Sequence, residues 1–167
     1  MAESVETLAA RLAAVEAERA IERLIYTYGH MLDFGSPEAY ADLFTSDGRV
    51  EIQSGFINLF GLDFPVPYES EGLSIGGVRR GNAMVFSGRE TLMRFAAKPL
   101  SPTRTLHVVS QPLVTLEGPE RASAESYMRV FARNPEGGPE LQAFGRYLDA
   151  FHKTDAGWRF VARICEV

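Results

Sequence analysis

The stretch that decides the fold is AIERLIYTYGHMLDFGSPEAYADLFTSDGRVEI, residues 20–52. Ile21, Leu24, Ile25, Tyr28 and Leu32 fall at i, i+3, i+4, i+7 and i+11, the apolar stripe of an amphipathic helix. Gly35 ends that helix, and Ser36-Pro37-Glu38 opens a second, short one with Ser36 as N-cap and Pro37 in its first turn. Thr45-Ser46-Asp47-Gly48 reads as a turn, and Arg49 to Ile52 alternates like a strand. Two polar residues stand apart from a simple packing helix. Tyr28 lies within the apolar stripe, and Asp33 lies near the helix C-terminus, where the macrodipole disfavours a carboxylate.

Upstream, Val5, Leu8, Leu12 and Val15 recur at helical spacing among Ala, Glu and Arg, and predict a helical arm over residues 3–19 that covers its own domain or a neighbouring subunit. Downstream, residues 53–81 interleave Phe56, Phe60, Phe64 and Tyr68 with Gly and Pro, without a period. So apolar a loop is expected to act as a lid or a pocket wall, or to pack in an interface. Gly76 to Gly81 lacks the spacing and the strand-turn-helix context of a phosphate loop. Ser87, with Glu90 three residues on, reads as a candidate N-cap and capping box for a third helix, with Leu92, Met93, Phe95 and Ala96 on its apolar face. Strands are predicted over 104–117, 121–133, 141–153 and 157–166. Helices first and an antiparallel run of strands afterwards make an α+β domain with helices on one face of a sheet.

At 167 residues the chain is read as a single domain, 1–167. A net charge of -5 gives no basic footprint, which argues against nucleic acid and anionic membranes as partners. The lone Cys165 forms no internal disulfide, and no Cys/His pattern marks a metal site. With no signal-like or membrane-spanning apolar run, a cytoplasmic location is the expectation.

Tyr28, Asp33 and Gly35, then Leu43-Phe44 and Asp47-Gly48 before a strand, resemble the opening of the SnoaL-like branch of the NTF2-like superfamily. Thr105-Leu106-His107, Gly145-Arg146-Tyr147-Leu148-Asp149 and Gly157-Trp158-Arg159 extend the resemblance across about residues 20–165. It implies a cystatin-like cone: about three helices packed on a strongly curved, mainly antiparallel sheet that encloses a pocket. Bile-acid-dehydratase-like, scytalone-dehydratase-like and dehydrochlorinase-like members pair an aspartate at the end of the first helix with a histidine early in the strand after the third. Asp33 and His107 match those positions. Tyr28, five residues before the aspartate, matches the dehydratase-like members, and Arg163, five beyond Trp158, matches a pocket-lining arginine of some relatives.

The resemblance implies a cofactor-independent lyase on a small apolar or aromatic hydroxylated compound. Water elimination comes first. A retro-aldol or deformylating carbon-carbon cleavage, and a non-catalytic small-molecule-binding domain, are the alternatives. His107 is the expected general base oriented by Asp33, Tyr28 assists the leaving oxygen, and Arg163 binds substrate. The position of the ketosteroid isomerases' base is occupied by Ile52, which disfavours that reaction. The apolar arm and the aromatic loop both need cover, so a homo-oligomer, dimer or trimer, is expected.

Overall fold

The computed structural model describes residues 4–53, 78–80, 83–97, 105–133 and 137–166. Three helices are seen among them: α1 (Val5–Phe34), α2 (Pro37–Ala41) and α3 (Arg89–Ala97). The strands are β1 (Phe44–Gln53), β2 (Val78–Arg80), β3 (Ala83–Ser87), β4 (Thr105–Leu116), β5 (Arg121–Arg133), β6 (Pro139–Thr154) and β7 (Gly157–Glu166). They form one open seven-stranded sheet in the order β2-β3-β1-β7-β6-β5-β4. Every described pairing is antiparallel except β1 with β7, so the sheet is mixed. This is the expected α+β arrangement. Most of residues 53–81, and with them the expected lid, lie outside the described residues.

The expected arm and first domain helix are one continuous helix, because no Gly or Pro interrupts residues 5–28 and Ser4 caps its start by accepting from the Thr7 amide. Its C-terminal half packs on β4 and β7, burying Ile21, Leu24, Ile25 and Tyr28. Gly35 closes α1 with its amide bonded to the Met31 carbonyl, and Ser36 caps α2 by accepting from Ala39. The turn expected at Thr45 to Gly48 is instead part of β1. A register shift between Phe44 and Arg49 against β7 absorbs those residues, so the strand starts five residues earlier than the alternation alone implied.

β4 is an edge strand. It is broken midway, between Ser110 and Leu113, by a register shift at which Gln111 takes a positive φ of 53°. Pro112, next to it, has no N–H to offer a stray strand, so the bulge and the proline together blunt the edge.

The core between helices and sheet is aromatic. Tyr28, Tyr40, Phe44, Phe86, Phe95, Tyr147, Phe151 and Phe160 are all buried. Tyr28 sits at its centre, 5.4 Å from the Tyr40 ring, 5.7 Å from Tyr147 and 5.9 Å from Phe160. Tilted and edge-on contacts of this kind contribute about 0.5–1.5 kcal/mol each beyond their buried area.

Candidate functional site

Asp33 and His107 come from elements far apart in sequence, and the helix–strand packing joins them. Gly29 is where α1 crosses β4 most closely: a Cβ there would stand 2.7 Å from the His107 carbonyl oxygen. One turn further along α1, Asp33 reaches His107 with both carboxylate oxygens. Oδ2 accepts from the His107 amide at 2.7 Å, and Oδ1 lies 2.5 Å from the ring Nδ1. The Asp33 side chain is 1% exposed and that of His107 9%, so the pair is shielded from water on most sides.

This clasp fixes the imidazole. An ionised carboxylate only accepts hydrogen bonds, so Nδ1 carries the hydrogen and Nε2 presents its lone pair. The amide bond also resolves why a carboxylate occupies the last turn of a helix. Asp33 is held by two donors from β4, which outweigh the unfavourable dipole. Both residues line a groove of about 230 Å³ between α1 and β4, whose other walls include Tyr26, His30, Phe34, Leu106 and Val108. It is a mainly apolar recess with one clasped imidazole. His30 is exposed on its rim.

Because the Gly29 contact is with backbone, Gly29→Ala is expected to push α1 off β4 and loosen the clasp. Melting temperature and turnover should fall together. A variant with both unchanged would show that the crossing tolerates a methyl group.

Tyr28 and Arg163 are brought together elsewhere, in the aromatic core. The Arg163 guanidinium carbon lies 4.0 Å from the Tyr28 ring centre, 4.1 Å from Tyr147 and 4.5 Å from Phe160. β6–β7 pairing sets Asp149 directly opposite Arg163. The carboxylate accepts from Nε at 2.8 Å and from Nη2 at 2.6 Å, a bidentate ion pair with both side chains fully buried. Nη1 has no hydrogen-bond partner among the described residues, and the aromatic faces around the guanidinium supply part of what it lacks.

Burial alone would lower the Arg163 pKa, but the Asp149 carboxylate outweighs it and holds the guanidinium charged. The Asp149 carboxyl is pushed up by burial and pulled back by Arg163. The expectation that Arg163 binds substrate therefore meets a different arrangement: its charge is spent on Asp149, and none of its surface is open to a ligand. Burial raises the Tyr28 phenol above its ordinary pKa, so it stays neutral. The Tyr40 hydroxyl donates to it at 3.3 Å. Asp149 and Tyr40 went unassigned in the sequence. An acid at an inward-facing strand position was the available signal for Asp149, since such a residue needs a buried cation.

A family model described as the SnoaL-like domain matches residues 13–164. The chain belongs to the SnoaL-like family. Solved structures agree in fold. An NTF2-like protein with a cystatin-like fold from Novosphingobium aromaticivorans superposes with a TM-score of 0.73 at 23% identity, over 98% of this chain and 90% of that one. A protein of the same organism named provisionally as a scytalone dehydratase gives 0.65 at 21% identity, over 91% and 84%. The β subunit of a provisionally named aromatic-ring-hydroxylating dioxygenase, also from that organism, gives 0.65 at 21%, over 92% and 90%. At these identities the likeness is one of fold. A search of curated proteins finds no match. For this SnoaL-like chain no helix among the described residues is long and apolar enough to cross a membrane.

Proposed function

We propose that this SnoaL-like protein is a cofactor-independent lyase that eliminates water from a small apolar or aromatic hydroxylated compound. The observation that carries the reading is the two-point clasp of His107 by Asp33 beside an apolar groove. In the proposed reaction Nε2 of His107 takes a proton from a carbon next to an activating carbonyl or aromatic ring. The electron pair left behind forms the new double bond, and the hydroxyl on the neighbouring carbon leaves with a proton as water. Asp33 stabilises the imidazolium that forms.

Tyr28 is the proposed donor to the departing oxygen, because the bond from Tyr40 leaves Tyr28 its own hydrogen to give. Its ring is 1% exposed, so it serves only a substrate that enters the aromatic cluster. Tyr28→Phe separates the cases: lower turnover at near-constant KM supports the role, and unchanged turnover leaves the dyad to work without it. The same base would serve a retro-aldol or deformylating cleavage of a phenolic compound. The products distinguish these reactions, water and an alkene from elimination, a carbonyl fragment from carbon-carbon cleavage.

No group of three or more His, Cys, Asp or Glu side chains among the described residues is placed to hold a metal. A chelator is expected to leave turnover unchanged, and elemental analysis finding one metal per chain on His107 would overturn the mechanism.

A second reading, a non-catalytic binding or assembly domain, draws on the outer face of the sheet, where Leu113, Tyr127 and Phe144 stand exposed. We propose a homo-oligomer on either reading, since monomers seldom leave so much apolar surface open. Screening hydroxylated steroids, terpenoids and phenolics for turnover decides between the readings.

A further inference from the structure

We propose that the groove between α1 and β4 takes a compound with a single aromatic ring, and that His30 hands a proton to its departing hydroxyl. This rests on the elimination proposed above and names its substrate class and a second catalytic residue.

The size of the groove sets the class. It encloses about 230 Å³. A dry apolar cavity of about 150 Å³ holds benzene, and sites for drug-sized ligands begin near ~300 Å³. One ring with a short side chain falls between those limits, and a four-ring steroid does not. The walls suit a flat ring. Tyr26, Phe34 and Leu106 are 44%, 66% and 46% exposed, and all three border this groove. Apolar walls around a small number of converging polar groups are the usual make-up of a small-molecule site.

The polar groups converge from one face of α1. At about 100° per residue, Tyr26, His30, Asp33 and Phe34 fall within roughly 100° of one another, whereas Tyr28 points about 160° away from His30. Tyr28 is also buried in the aromatic core, so a substrate seated in the groove meets His30 instead. Asp33 is committed to His107 through both oxygens. Beside that clasp α1 brings two hydrogen-bond donors to the groove, His30 three residues from Asp33 and Tyr26 seven residues from it. Histidine both gives and regains a proton near neutral pH, and the exposed His30 is refilled from water. His107 then takes the proton from the carbon beside the carbonyl, and the C–H electron pair becomes the new double bond. The C–O bond breaks with its pair going to oxygen, which takes the His30 proton and leaves as water. His107 ends as imidazolium and His30 as neutral imidazole, and proton exchange with water at the rim resets both.

The test uses the full chain and the aldol adduct of benzaldehyde and acetone, a β-hydroxy ketone with one ring. Wild-type protein is expected to convert it to benzalacetone. His30→Gln should slow that conversion on the order of 10²-fold without moving the melting temperature. With the acetate ester of the adduct, whose acetate leaves as an anion, His30→Gln should be nearly as fast as wild type, while His107→Ala slows both compounds. The adduct of a four-ring aromatic aldehyde should react on the order of 10²-fold more slowly, because a ring that overhangs the groove misplaces the reacting carbon. Equal rates for the two adducts, or no turnover of the single-ring one, overturn the substrate class and leave elimination to the wider screen. Full activity of His30→Gln on the hydroxyl compound, or equal slowing of hydroxyl and acetate compounds, overturns the acid role but not the elimination. Turnover that survives His107→Ala overturns the elimination reading itself. Release of benzaldehyde in place of benzalacetone overturns the acid role as well, since no hydroxyl then leaves.

Discussion

His107→Ala is expected to lower turnover on the order of 10²- to 10⁴-fold, the usual cost of losing a general base. Asp33→Asn should cost a comparable amount for a different reason. The native carboxylate accepts from two donors of one residue, the His107 amide and Nδ1–H. An asparagine has one acceptor oxygen and an NH₂ group. If the oxygen keeps the amide, the NH₂ must donate to Nδ1, which moves the ring hydrogen to Nε2 and abolishes the lone pair needed to take a proton. Since the two residues act as one unit, the double variant should be hardly slower than His107→Ala alone. All of them should stay folded, because the groove side of the pair serves chemistry more than packing. The measurements are turnover and melting temperature on whichever compound the screen identifies. Full activity in His107→Ala, or a loss explained entirely by unfolding, would make His107 a packing residue and end the proposed mechanism.

The largest stability effect is expected at the buried ion pair. Arg163→Met removes the cation and leaves the Asp149 carboxylate in a dry aromatic core, where an unpaired charge costs about 3–5 kcal/mol. For a chain of this length that corresponds to a fall of roughly 6–20 °C in melting temperature. Asp149→Asn strands the guanidinium instead and should do similar damage. Replacing both, Arg163→Met with Asp149→Leu, removes the two charges together and should recover most of the loss, since a well-packed apolar pair is often as stable as a buried salt bridge. A further variant, Arg163→Lys, tests the substrate-binding role that the resemblance implied. Arg163→Lys that left the melting temperature intact but raised KM would restore that role, whereas loss of stability with unchanged KM places Arg163 in the framework.

Had Tyr28 lacked Arg163 beneath its ring, the aromatic core would hold it by packing alone. The cation 4.0 Å from that ring fixes its orientation, and the Tyr40 hydroxyl fixes its oxygen. Any contribution of Tyr28 to turnover is therefore coupled to Arg163 and Asp149, two residues that need not touch the substrate.

Much of this was legible in the sequence, and the boundary has physical causes. Apolar periodicity located α1 and the four long strands within a few residues, because burial of one face imposes a period of 3.6 or 2 on the chain before any tertiary contact exists, and the start signals Ser36-Pro37 and Ser87–Glu90 pointed to α2 and α3. The family pattern singled out Asp33 and His107, whose residue types and positions suffice for that. The sequence alone did not reveal that Thr45 to Gly48 would be drawn into β1, because only the partner strand β7 makes extended backbone preferable to a turn there. Nor did it reveal that Asp149 would claim Arg163. That pairing depends on cross-strand register, and a register is set by the whole sheet. Tyr28 and Asp33 lie five residues apart on one helix and were grouped in one site. The helix turns them about 140° apart, and the tertiary structure sends the first into the aromatic core and the second to β4.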